Sequence, residues 1–68
     1  MFDKNKFKYS IMVKGKNLRE VASVLNISSV TLWRKMNGGS EFSREEIQTI
    51  KNMLNLTQNE AFEIFFAE

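Results

Sequence analysis

Five helix-starting residues within 68 positions leave this chain room for short helices and for little else. Asp3, Asn17, Ser28, Ser43 and Thr57 each stand ahead of a run with helical apolar spacing. Side-chain oxygens of this kind accept backbone N–H groups that a helix's first turn leaves unpaired. Asn17, Ser43 and Thr57 also have a glutamate three residues on, Glu20, Glu46 and Glu60, as a capping box requires. Stop signals follow: Gly15 and Gly38-Gly39 tolerate the left-handed backbone, and Asn26 is the commonest kind of non-glycine residue to adopt it. These marks predict helices near residues 3–14, 18–25, 29–37, 44–54 and 58–66, with no strand. The expected fold is an all-α five-helix bundle, a single domain over 1–68. Its expected core is Phe7, Ile11, Val21, Ala22, Leu25, Leu32, Ile47, Ile50 and Leu54.

Composition removes several function classes. Without cysteine or histidine there is no disulfide, no thiolate or imidazole metal site and no familiar nucleophile–base pair. No glycine-rich phosphate loop is present, and adjacent Glu45 and Glu46 diverge by about 100° on a helix. An enzyme is therefore not expected, nor a cofactor, and no small-molecule pocket is legible. The longest apolar runs, Ile11-Met12-Val13 and Ile64-Phe65-Phe66-Ala67, are far below the ~20 residues of a membrane span. Charge is unevenly divided. Residues 1–37 hold eight basic against two acidic side chains, net +6, and residues 38–68 hold two against six, net −4. Such asymmetry suits a partner that is a polyanion, although an uneven solvated surface is the plainer reading.

The segment Leu18 to Asn37, LREVASVLNISSVTLWRKMN, carries the functional argument. Two short helices separated by about three residues make a helix-turn-helix. Ala22 supplies the small residue at the helix contact, Asn26 the positive φ, and Ile27 and Leu32 the apolar residues beyond the turn. This segment resembles the Cro/phage-repressor, XRE-like family of helix-turn-helix regulators. Phe7 and Ile11, the Asn37-Gly38 pair and the stretch EFSREEIQTIKNMLNLT are similar to the flanking parts of short phage and prophage members. The likeness spans about residues 5–57. Leu18 stands where the family often has a phosphate-binding glutamine, and its apolar side chain suggests core packing instead.

The resemblance implies a sequence-specific transcriptional regulator, a repressor or Cro-like protein, acting on a double-stranded DNA operator in the cytoplasm of a bacterial host, on the nucleoid. Helix 29–37 would read the major groove. With Leu32 and Met36 inward, Val30, Arg34 and Asn37 face outward, flanked by Thr31 and Trp33. Arginine pairs bidentately with guanine, and Val30 or the Thr31 methyl suits a thymine methyl. Ser28 and Ser29 at the helix start are candidates for phosphate or base edges, and Lys16, Lys35, Asn37 and Ser40 for phosphate. Trp33 has two readings, a DNA contact or a cover for the groove between the third and fourth helices.

The last helix bears on assembly. Phe62, Phe65 and Phe66 form an i, i+3, i+4 stripe, and Ile64 lies off it. One apolar side can complete the monomer core and the other then wants a partner. A homodimer through Phe62, Ile64, Phe65 and Phe66 is expected, placing two reading helices roughly 34 Å apart on a palindromic site. The rival reading is a protein-interaction module, antirepressor or antitoxin-like, that uses this phenylalanine-rich helix on the same scaffold.

Overall fold

The computed structural model describes residues 1–67. It holds five helices and, among the described residues, no strand: α1 Lys4–Val13, α2 Leu18–Leu25, α3 Ser29–Met36, α4 Arg44–Met53 and α5 Gln58–Phe65. Among the described residues no helix is long and apolar enough to cross a membrane. Each helix starts where its cap dictates. Asp3 accepts from Lys6 N at 2.9 Å, and Ser28 accepts from Thr31 N at 3.0 Å. Asn17–Glu20, Ser43–Glu46 and Thr57–Glu60 close reciprocal capping boxes. Lys14, Asn37, Leu54 and Phe66, expected as final helical residues, are the C-caps of α1, α3, α4 and α5.

Four helices end by one device. Gly15, Asn26, Gly38 and Asn55 have positive φ. The following N–H then turns back onto the carbonyl five residues earlier: Lys16 to Ile11, Ile27 to Ala22, Gly39 to Arg34 and Leu56 to Lys51, at 2.8–3.0 Å. These bonds pair carbonyls that a helix end otherwise leaves free. At α2 the device confines the turn to Asn26, Ile27 and Ser28, so only three residues separate α2 from α3.

The core gathers Phe7 and Ile11 from α1, Val21 and Ala22 from α2, and Leu32 and Met36 from α3. From the C-terminal half it takes Ile50, Leu54 and Leu56, then Ala61, Ile64 and Phe65 of α5. Leu25 and Ile47, expected as core, are half-buried against its edge. Leu18 does not pack inside as expected: it is 37 % exposed at the start of α2, where the apolar demand falls on Val21 and Ala22 instead.

At the base of the bundle Phe2, Phe7, Phe42 and Phe65 form a four-ring cluster, every pair of centroids lying 5.1–6.0 Å apart. Such separations suit edge and tilted aromatic contacts. The cluster joins the N-terminal segment, α1, the loop before α4, and α5. Main-chain bonds reinforce the seam: Asp3 N donates to Ile64 O at 2.7 Å, and the Met1 amino group to Ala67 O at 2.6 Å.

This seam corrects the expectation for α5. Ile64 and Phe65 are 2 % and 6 % exposed and cannot meet a second copy. The inward face is Ala61, Ile64 and Phe65, itself an i, i+3, i+4 set, because α1 and the N-terminal segment cover that side. Phe62 and Phe66 alone point out, 56 % and 53 % exposed, with centroids 6.2 Å apart.

Candidate nucleic-acid interface

α3 is amphipathic over only eight residues. Leu32 and Met36, one turn apart, fix its inner side in the core. The outer side is then Val30, Trp33, Arg34 and Asn37, which have i, i+3, i+4, i+7 spacing and are all exposed. Val30 is 59 % and Trp33 64 % exposed, so the indole does not cover the groove between α3 and α4. Burying neither of these side chains is costly, since apolar surface favours leaving water. Nothing in the monomer's own packing calls for them there.

The start of α3 is exposed at Ser28 and Ser29, with Thr31 half-buried. The Ser28 hydroxyl is engaged twice, accepting from Thr31 N and meeting Thr31 Oγ1, each at 3.0 Å. If it donates in that second contact, the Thr31 hydroxyl keeps its own proton for an outside acceptor. At the other end Asn37 works as a fastener. Its Nδ2 donates to Trp33 O at 2.8 Å, and its Oδ1 accepts from Lys4 Nζ at 2.9 Å. Lys4 of α1 therefore brings a cation to the C-terminal end of α3, a contact that sequence reading missed because 33 residues separate the two. Ser40 is exposed in the loop after α3, and Lys16 in the turn between α1 and α2.

Lys35, a phosphate candidate by sequence, is engaged within the chain itself. Its Nζ lies 3.1 Å from Glu46 Oε1 and donates to Glu41 O at 3.1 Å. The side chain is 13 % exposed, and the ammonium stands 5.9 Å from the Phe42 centroid. Lys35 clamps α3 to α4 from the inner flank, one residue before Met36.

Burial, the Ser43 backbone and the same clamp together set the acid–base behaviour of Glu46. Burial opposes ionisation of its carboxyl. The Ser43 backbone N–H, the hydrogen bond and charge of Lys35 and the Ser43 hydroxyl outweigh that, so its pKa lies below the ordinary 4.5. A carboxyl with a lowered folded pKa contributes stability that is fully present above its unfolded value. That contribution is lost as pH falls through the lowered value. Glu46→Gln isolates the charge, because glutamine also serves in a capping box. The variant is expected to lose about 1 kcal/mol at neutral pH. The gap should close as pH drops below 4.5. Thermal melts of both proteins across that range check it; a gap independent of pH would mean that the ion pair contributes nothing.

Beside the C-terminal end of α3, the N-terminal segment, the loop before α4 and the end of α5 line a cavity of about 670 Å³ that is open to solvent on one side. Sequence reading gave no sign of it, because four separate parts of the chain build it. Among the described residues no cluster of acidic side chains is placed to hold a metal ion. Compared with family models, with curated proteins and with solved structures, the chain matches none.

Proposed function

We propose that this chain is a sequence-specific double-stranded DNA-binding regulator of transcription, of the Cro/phage-repressor kind that its sequence resembles. In this reading α2 and α3 act as a helix-turn-helix, and α3 enters the major groove. One observation carries it: the outward stripe Val30, Trp33, Arg34 and Asn37 on a short helix whose other side is core. Arg34 offers a bidentate donor for guanine, Val30 an apolar contact for thymine, and the start of α3 offers N–H groups and hydroxyls for phosphate. The basic N-terminal half, net +6 over residues 1–37, supplies long-range attraction to a polyanion. Repression would follow from occupying the operator in the cytoplasm of a bacterial host, without catalysis.

Selection of bound sequences from random duplex DNA tests the proposal. A defined site should emerge, bound about 10³-fold or more tightly than mixed DNA. Its affinity should fall with salt by a log–log slope of about 0.9 per phosphate contact. Equal affinity for every sequence would remove specific reading.

Phe62 and Phe66, exposed side by side on α5, favour a companion reading. They form the patch for a two-fold homodimer on a palindromic site, reduced to these two residues now that Ile64 and Phe65 lie in the core. A single monomer on a non-palindromic selected site would exclude the dimer. Absence of any duplex binding at low salt would leave the patch to a protein partner, as the interaction-module reading requires.

A further inference from the structure

The cavity beside α3 meets the proposed DNA interface only at its edge, through Asn37 and Ser40, and its volume of about 670 Å³ is that of a small-molecule site. Phe2, Met36, Phe42, Ile47, Phe65 and Phe66 give it a largely apolar wall. Its charged lining residues are Met1, whose amino group donates to Ala67 O, then Lys4, Lys35 and Glu41. Lys35 is already neutralised by Glu46 at 3.1 Å. Lys4 is not: the ammonium of this half-buried residue donates to the neutral Asn37 Oδ1 at 2.9 Å. Among the described residues it makes no ion pair. An ammonium carries three donors, so this one retains capacity for an anionic acceptor beside an apolar wall.

We propose that this cavity binds a small amphiphilic anion, its apolar body against Phe42, Phe65 and Phe66 and its carboxylate on Lys4. The site also touches α3. Lys4 holds Asn37, and Asn37 in turn holds the Trp33 carbonyl, so a carboxylate that draws Lys4 away loosens the fastener at the end of α3. The binding step is independent of whether α3 reads DNA.

The test is calorimetric titration of the intact chain with decanoate, with 1-naphthoate and with uncharged decanol, all below micellar concentrations. The fluorescence of Trp33, the one tryptophan, serves as a second readout. Saturable one-to-one binding of at least one carboxylate below about 1 mM is expected, with decanol about tenfold weaker than decanoate if the alkyl acid is the ligand that fits. Naphthoate alone would mark an aromatic acid, decanoate alone an aliphatic one. Lys4→Met should weaken the bound carboxylate about tenfold and leave decanol unchanged. Phe66→Ala should weaken the carboxylate several-fold, whereas Phe62→Ala, equally exposed but outside the cavity, should not. Both phenylalanines are half in solvent, so their loss spares the core, and Lys4→Met tests the head group with the wall intact. No saturable carboxylate binding, a carboxylate indifferent to Lys4→Met, or equal effects of Phe62→Ala and Phe66→Ala would overturn the proposal.

Discussion

Phe7→Ala is expected to leave the chain unfolded, or at the edge of unfolding, at 25 °C. Phe7 has no exposed surface and is the only ring of the four-phenylalanine cluster supplied by α1. Removing a buried phenylalanine costs about 3–5 kcal/mol, from lost transfer energy and from the cavity that remains. A domain of 68 residues has roughly 3–10 kcal/mol in total. Relaxation cannot easily fill the gap, because Phe2, Phe42 and Phe65 come from three different segments and each is held by its own backbone. Phe62→Ala is the matched control, with the same chemistry on an exposed ring, and should shift stability by no more than about 0.5 kcal/mol. Urea unfolding of the three proteins decides it. A Phe7→Ala variant within about 1 kcal/mol of the parent would show that the four rings are not where the fold is held.

What the sequence made legible was local. A capping box is completed within four residues, so Asn17–Glu20, Ser43–Glu46 and Thr57–Glu60 could be recognised before any tertiary contact was known. The outward face of α3 was legible for a similar reason: with Leu32 and Met36 assigned to the core, helical geometry leaves Val30 and Arg34 no other direction. α5 was harder. Phe62, Phe65 and Phe66 make a convincing stripe by size, but Ala61, Ile64 and Phe65 have the same spacing, and periodicity cannot rank two overlapping stripes. The choice was made by the chain's other end, where Asp3 N finds Ile64 O and Phe2 stacks near Phe65. Asn55 and Leu56 escaped notice because a left-handed asparagine followed by a buried leucine looks like ordinary loop sequence. The Lys35 clamp was not legible because a basic residue on a short helix is normally solvated, and its carboxylate partner lies eleven residues further along.

The contrast between Lys35 and Arg34 yields the sharpest test of the proposed function. Both are cations on α3, adjacent in sequence, and a purely electrostatic attachment to DNA would scarcely distinguish them. Their surroundings differ: Arg34 is exposed on the outward stripe, and Lys35 is held by Glu46 and Glu41. Arg34→Ala is therefore expected to cost about 1–3 kcal/mol on the selected site, a loss of roughly 5- to 150-fold. It should also relax preference at one base pair and weaken mixed DNA far less. Arg34→Lys should recover little of the specificity, since a lysine cannot reproduce the planar fork. Lys16→Ala, if that exposed side chain meets phosphate, weakens all sequences alike and lowers the salt slope by about one. Lys35→Met, by comparison, should leave both the preferred sequence and the salt slope in place, at some expense of thermal stability. Binding curves for the variants, on selected and mixed duplexes at several salt concentrations, separate these outcomes. Uniform weakening by Arg34→Ala would make it a phosphate contact, and the reading of bases would pass to Val30, Thr31 and Trp33. A salt slope that falls with Lys35→Met would mean that DNA breaks the clamp between α3 and α4 on binding.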